Sequence, residues 1–368
     1  MNAPSRLSAP PPATEGRPAP WLLPGAVLAV ALVAATCGAS SPAAVGTSSP
    51  AAGASAAPSP TPAATTAPGS SALGLQGEFV SAIAAVSPSV VVIETSSGLG
   101  SGIVFDAKGD IVTNAHVVGT SRTFTVTLAD GRQLHGTLVG TFASDDLAVI
   151  RVSGSNLRPA TFGDSSKLVV GDIVLAVGNP LGLQSSVTQG IVSAVGRTVS
   201  EPNGAALPNV IQTSADINPG NSGGALVDLS GAVVGIPTLA AVDQQLGGSA
   251  PGIGFAISSN TATDIANQLI TYGRVVDSHR AYLGVQAIDT IGAPGAVVYS
   301  VKAGGPAALA GIVRGEAITS VDGKATATAA DLTTVLAGLT PGLSVKVTIV
   351  RPDGSRATVT AVLGELPG

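Results

Sequence analysis

The sequence has a single cysteine, Cys37. No disulfide can form within one chain, so an exported fold would have to stand on its core alone. Charge and aromatic side chains are also scarce: 17 Lys and Arg against 22 Asp and Glu give 11% charged residues, and aromatics make up 3% of the 368 residues. Nothing here supplies the dense cationic surface that phosphate binding requires, which excludes a basic nucleic-acid binder. Mean hydropathy is +0.47, yet there is only one sustained apolar run, which excludes a polytopic membrane protein. What the chain does hold in quantity is 47 glycines and 26 prolines, the residues of turns. Its length allows roughly two domains of ordinary size plus a tail.

The scarce charge is unevenly placed. Arg6, Glu15 and Arg17 are the only charged side chains before Glu78, so Pro18 to Gly77 carries none. The first half of this gap, Trp21 to Ala35 and on to Ala39, is apolar and follows two arginines and the only tryptophan. It approaches the ~20 residues that span a bilayer, with Trp21 suited to the interface. Three readings fit: a retained signal anchor at 21–39 behind a cytoplasmic leader at 1–20, a cleaved signal peptide, or a lipoprotein modified at Cys37. Ala34-Ala35-Thr36-Cys37 resembles a degenerate lipobox, with Thr36 departing from the usual small residue. Cys37 also reads simply as a thiol within the anchor. In each functional reading the arginines stay inside and the rest of the chain leaves the cytoplasm. The remainder of the gap, through residues 40–77, is Ala, Ser, Thr, Pro and Gly. It offers too little apolar surface to offset the entropy of ordering it, which predicts a disordered linker.

From Glu78 onward the pattern becomes short β-branched runs separated by Gly, Asn or Asp. Strands are predicted at 90–93, 102–105, 110–113, 123–128, 133–139, 147–152, 172–177, 187–195, 209–213, 225–227, 232–236 and 252–257. Such a series, nearly free of helix, indicates antiparallel barrels or sandwiches. A helix is predicted at 258–272, where Ala262, Ile265, Ala266, Leu269 and Ile270 share one face and Gly273 offers a stop.

Three spots within this region carry chemistry. His116 follows a strand in Thr113-Asn-Ala-His-Val-Val; Asp145-Asp146 precedes one; Ser222 sits in the turn Gly220-Asn221-Ser222-Gly-Gly. A serine hydroxyl is a weak nucleophile until an imidazole takes its proton, and the imidazole needs an acid to fix its tautomer and stabilise its cation. Gly220 and Ser222 are natural N–H donors to an oxyanion, worth on the order of 3 kcal/mol each. Taken singly, each spot also reads as ordinary structure: a surface histidine, a solvated acidic turn, a hairpin loop. The order His, Asp, Ser is that of chymotrypsin-like double barrels and differs from the order in subtilisins and α/β-hydrolases.

Thr113-Asn-Ala-His116-Val-Val, Asp146-Leu-Ala-Val, Gly178-Asn-Pro-Leu-Gly182 and Ile217-Asn-Pro-Gly-Asn-Ser222-Gly-Gly-Ala-Leu226 together resemble the HtrA/Deg family of trypsin-like serine proteases. The resemblance runs from about Ser81 to the C-terminus. It implies a double β-barrel protease domain over 78–274, with His116 as general base, Asp146 as its orienting partner and Ser222 as nucleophile. Asp146 is preferred to Asp145 because the family's acid immediately precedes the apolar-Ala-apolar strand. Gly254-Phe255-Ala256-Ile257 is similar to the family's segment beside the substrate channel, to which Asp216 and Ile217 would also belong. Asp216 stands six residues before Ser222, where trypsin-like enzymes keep the acid that selects Lys or Arg, whereas the family generally prefers small aliphatic residues. His135 and His279 match no family motif and read as surface residues.

Residues 275–368 resemble a PDZ domain of the type these proteases carry, a small α+β fold. Matching the motif, Tyr282-Leu283-Gly284-Val285 would form the loop whose N–H groups capture a C-terminal carboxylate while the peptide adds as a strand. Leu332, Val335 and Leu336 are candidates for the groove wall or for plain core, and a folded spacer is the alternative for the whole domain. The resemblance thus implies a membrane-tethered, extracytoplasmic endopeptidase acting on unfolded or misfolded polypeptides. It implies no metal or other cofactor and no nucleic acid. Homotrimers are common in the family. The runner-up is a protease-like chaperone or peptide-binding scaffold with little activity.

Overall fold

Alternation along the β-branched runs decides which face of each strand is buried in which core. In the computed structural model, residues 69–96, 98–179, 186–200, 206–218, 220–243 and 248–368 are described. Cys37, the leader and the apolar segment at 21–39 lie outside them, as does most of the linker at 40–77. Among the described residues no helix is long and apolar enough to cross a membrane.

Two six-stranded antiparallel barrels form the first folded part. One contains β1 (Val90–Glu94), β2 (Leu99–Val104), β3 (Asp110–Thr113), β4 (Thr123–Thr127), β5 (Gln133–Phe142) and β6 (Leu147–Val152), closed in the order β1-β2-β3-β6-β5-β4. The other contains β7 (Ile173–Gly178), β8 (Ser186–Ser200), β9 (Ala206–Thr213), β10 (Ala225–Val227), β11 (Val233–Asp243) and β12 (Gly248–Ser258), in the order β10-β11-β12-β9-β8-β7. Each of these strands overlaps one of the predicted runs. Period-two alternation then sorts the side chains. Val91 and Ile93 fill the first barrel, and Val174 and Ala176 the second. Val90, Leu175 and Val177 point the other way, into a shared core with Ile265 and Leu269.

Those last two belong to α3 (Ser259–Tyr272), capped by the Ser258 hydroxyl at Thr261 N–H and stopped by Gly273 at φ 69°. A second helix, α1 (Gly69–Val86), was not expected and corrects the linker prediction, since it begins inside 40–77. Ala82 and Val86 are buried, and Phe79 and Ile83 pack beside them in the shared core. Burial of each large side chain is worth roughly 1.5–3 kcal/mol. The docked half supports the helix, whereas Leu73 and Leu75 in its first half remain exposed. Three glycines and a weak apolar stripe hide this helix from a reading by periodicity.

The second folded part holds a sheet ordered β14 (Val285–Ile288), β15 (Ala296–Val301), β16 (Ala317–Val321), β18 (Ser344–Val350), β19 (Arg356–Val362), with β17 (Lys324–Ala325) beside β16. β13 (Ala281–Tyr282) pairs with β20 (Gly364–Glu365). The short α4 (Pro306–Leu309) and α5 (Ala329–Ala337) complete it, α5 held by a capping box between Thr328 and Asp331. β14 is an edge strand of this sheet.

Candidate active site

Two adjacent carboxylates, Asp145 and Asp146, point to different partners. The one-turn helix α2 (Ala115–Val118) carries His116. Asp146 adopts left-handed backbone geometry, φ 50° and ψ 40°, and its carbonyl accepts from Ala115 N–H (3.0 Å) and the Asn114 side chain (3.1 Å). That turn aims the Asp146 carboxylate at the histidine. Oδ1 accepts the His116 backbone N–H at 2.9 Å, and Oδ2 lies 2.8 Å from His116 Nδ1. A carboxylate partner places the imidazole proton on Nδ1 and leaves Nε2 as the basic nitrogen. The Asp146 side chain is 3% exposed and that of His116 46%, so the acid is shielded while the base faces solvent.

Thr238 was missed by the sequence reading. Its hydroxyl donates to Asp146 Oδ2 at 2.5 Å, and its carbonyl lies 3.1 Å from Ser222 Oγ. A threonine mid-strand in β11 has no local mark; only the pairing of the barrels brings it across 92 residues of sequence to Asp146.

Ser222 lies in a tight turn between β9 and β10, and is buried. Gly223 has φ +78°, and a Cβ there would stand 2.3 Å from the Ser101 carbonyl, so the glycine after Ser222 is required both by its dihedral and by space. The two N–H groups expected to bind an oxyanion are both engaged within the turn. Gly220 N–H donates to Asn218 Oδ1 at 3.0 Å, and Ser222 N–H to the Asn218 carbonyl at 3.3 Å. Asn221 N–H also donates to that carbonyl, at 3.1 Å.

The residues expected beside the channel divide. Ile217 is buried against Gly254, where a Cβ would be 2.3 Å from Ile217 Cγ1. Ala256 lies on the same strand face, in the interior of the second barrel. Phe255 and Ile257 face the other way, where alternation turns them into the shared core with Ile236 and Leu175. Asp216 is exposed, and its carbonyl accepts from Thr188 Oγ1 (2.8 Å) and Asn221 Nδ2 (2.9 Å).

Asp145 pairs with Arg280 Nη1 at 2.5 Å, and the same guanidinium donates to the Ser144 carbonyl and to the Ala206 carbonyl (2.5 Å). Both side chains are buried. Burial pushes the Asp145 carboxyl above the usual carboxylate range, against the charge and hydrogen bond of Arg280. His135 is exposed on β5, and His279 sits exposed beside Asp277 and Asp264. Among the described residues no group of three or more His, Cys, Asp or Glu is placed to hold a metal.

In the second folded part, Leu283 is buried, its carbonyl accepts from Ala307 N–H, and the Gly284 carbonyl accepts from Lys302 N–H. This leaves the 282–285 loop at the start of edge strand β14. Leu332 is core; Val335 and Leu336 are half-buried beside it.

Residues 100–236 match the model of a trypsin-like peptidase domain and residues 274–363 that of a PDZ domain. The chain is 42% identical over 311 residues to the serine protease PepD of Mycobacterium tuberculosis, covering 78% of this chain and 66% of the relative. It is 40% identical to the periplasmic pH-dependent serine endoprotease DegQ of Escherichia coli, covering 69% and 57%, and 39% identical to the serine endoprotease DegS of the same organism, covering 73% and 77%. The chain thus spans 57% of the length of DegQ and 66% of that of PepD. Among solved structures, the HtrA-type protease AlgW with a decapeptide superposes with a TM-score of 0.55 at 31% identity, covering 79% of this chain and 99% of AlgW. The serine endoprotease from Yersinia pestis gives 0.54 at 35%, covering 78% and 98%. With both domain matches in order and these identities over most of its described length, the chain belongs to the HtrA/Deg family of trypsin-like serine proteases with one PDZ domain.

Proposed function

We propose that this protein is an extracytoplasmic serine endopeptidase that cleaves unfolded or misfolded polypeptides. The observation that carries the proposal is the Asp146 carboxylate, buried and holding both the backbone N–H and the ring of His116. His116 Nε2 takes the proton of Ser222 as Oγ attacks the scissile carbonyl, and Asp146 stabilises the imidazolium that forms. The proton then passes to the leaving amine, and water hydrolyses the acyl-enzyme by the same route. Gly220 and Ser222 N–H must turn from Asn218 toward the substrate oxygen for the negative charge to be held. A fluorophosphonate probe tests the reading: covalent labelling located at Ser222 by mass spectrometry supports it.

The engaged N–H groups of Gly220 and Ser222 favour a second reading, a protease-like chaperone or scaffold. Absence of labelling with and without added peptides would select it.

Ile217 against Gly254 makes an apolar wall, so cleavage is expected after Val, Ala or Leu and not after Lys or Arg. Gly254→Val should lower kcat/KM for peptides roughly a hundredfold by displacing Ile217, the scale of an ångström-sized misplacement. Labelling by a small fluorophosphonate should persist in that variant, and a peptide library read by mass spectrometry checks the specificity.

The PDZ domain recruits C-terminal peptides by adding them to β14, with the 282–285 loop on the carboxylate. Titration of the full chain, inactivated at Ser222, with fluorescent hydrophobic-ended peptides should saturate, and amidating the peptide terminus should weaken binding at least about tenfold. No saturation across a diverse set would leave the domain a spacer. The segment at 21–39 tethers the protein in a single pass; the intact mass of membrane-extracted protein separates this from clipping or lipidation at Cys37. A homotrimer is the assembly expected from the family, checked by sedimentation.

A further inference from the structure

Ser101, on β2 of the first barrel, is fully buried, and each of its four hydrogen-bonding groups has a partner. Its Oγ donates to the Gly220 carbonyl at 2.8 Å and accepts Asn179 N–H at 2.9 Å. Its backbone N–H donates to the Ser222 carbonyl at 3.1 Å, and its own carbonyl accepts Thr113 Oγ1 at 2.7 Å. Two of these bonds reach the Gly220–Ser222 turn from the other barrel, and they grip it on both sides of Asn221.

The geometry of a peptide plane gives this grip a consequence. The Gly220 carbonyl and the Asn221 N–H belong to one rigid plane. Ser101 Oγ holds its carbonyl end, and the Asn218 carbonyl holds its N–H end at 3.1 Å. The N–H of Gly220 lies on the plane before it and that of Ser222 on the plane after. Both of these N–H groups have to leave Asn218 to meet an oxyanion, and both turn about a plane that Ser101 pins. Without the Ser101 hydroxyl the Gly220 carbonyl would lose that partner and be free to swing, and the two donors would lose their common reference.

We infer that Ser101 is a positioning residue for the oxyanion donors: its hydroxyl fixes the Gly220–Asn221 peptide as the pivot about which Gly220 and Ser222 N–H turn toward the substrate. This rests on the endopeptidase reading. It assigns Ser101 no contact with substrate, so its removal should weaken stabilisation of the tetrahedral state and leave substrate binding alone.

The test is Ser101→Ala in the full chain, with Ser259→Ala as the matched control. Ser259 is also fully buried and donates one hydroxyl to a glycine carbonyl, that of Gly163 at 2.7 Å, from the start of α3. Measured quantities are kcat and KM on a peptide substrate, the inhibition constant of a peptide boronate that forms a tetrahedral adduct, and the melting temperature. Ser101→Ala is expected to lower kcat about tenfold to a hundredfold, less than the loss of a donor itself. The boronate should weaken in parallel, with KM within about twofold. Ser259→Ala should lower the melting temperature by a similar amount and keep kcat. Unchanged kcat in Ser101→Ala, or equal loss of kcat in both variants, overturns the assignment. A wild-type protein that neither hydrolyses peptide nor takes a fluorophosphonate at Ser222 overturns the endopeptidase reading and this inference with it, which separates the two failures.

Discussion

Ser222→Ala is expected to abolish peptide hydrolysis, with kcat falling on the order of a millionfold, while peptide binding at the PDZ domain is unchanged. The size follows from how the three groups work. His116, held by Asp146 at 2.8 Å and 2.9 Å, has no proton to take if Oγ is absent. Such groups act as a unit, and deletion of the nucleophile removes nearly the whole effect of the unit. Loss of Oγ removes its contacts to the Thr238 and Asn218 carbonyls, and the Asn218 carbonyl keeps the Asn221 and Ser222 N–H groups; the fold should be preserved. Casein cleavage by purified protein is the assay, with circular dichroism as the control for folding. Persistent cleavage in the variant would assign the nucleophile elsewhere.

Arg280→Met is expected to destabilise the folded protein by about 3–5 kcal/mol, the usual cost of stripping one partner from a buried ion pair. Arg280 lies at the entrance to the PDZ domain, yet its guanidinium is buried against Asp145, Ser144 and Ala206 of the barrels. Met fills the aliphatic path and leaves the Asp145 charge alone in a site that already raises its carboxyl above the usual range. A carboxyl raised by folding binds its proton more tightly in the folded state. Its contribution therefore favours folding below the ordinary carboxylate range and is lost as pH rises through the raised value. Removing Arg280 takes away the opposing charge and raises the group further. The deficit of Arg280→Met should accordingly be largest at neutral pH and shrink toward mildly acidic pH. Adding Asp145→Asn should recover most of it at neutral pH, because a neutral amide needs no counter-charge. Denaturant titration of the single and double variants at two pH values checks this; a deficit that is independent of pH and of Asp145 would mean the guanidinium acts through its bonds to the carbonyls alone.

Much of the fold was legible because its signals are local. Runs such as Val90-Val-Val-Ile93 and Asp110-Ile-Val-Thr113 announce strands by β-branching and by the turns that bound them. Ser258 and Gly273 bracket α3 by side-chain capping and a left-handed stop, both written within a few residues. α1 was not legible, because docking of Phe79, Ala82, Ile83 and Val86 on the barrels stabilises it more than any propensity of an Ala-, Ser- and Gly-containing stretch. At the site, residue types and order marked His116, the Asp145-Asp146 pair and Ser222 as candidates, and the family resemblance singled out Asp146. Thr238 and Ser101 went unmarked, since a hydroxyl in a strand carries no signal until its partner is known.

By itself, then, the sequence determined the barrel strands, the helix predicted at 258–272, the two-domain order and the chemical identity of the candidate groups, all of which follow from neighbours in the chain. Only the tertiary structure decided that Asp145 meets Arg280, that Phe255 and Ile257 face the core, and that Gly220 and Ser222 N–H are turned to Asn218. The Asp145–Arg280 and Thr238–Asp146 bonds join residues 135 and 92 positions apart. No local propensity encodes such partners; closure of two barrels and the packing of their shared core bring them within hydrogen-bonding distance.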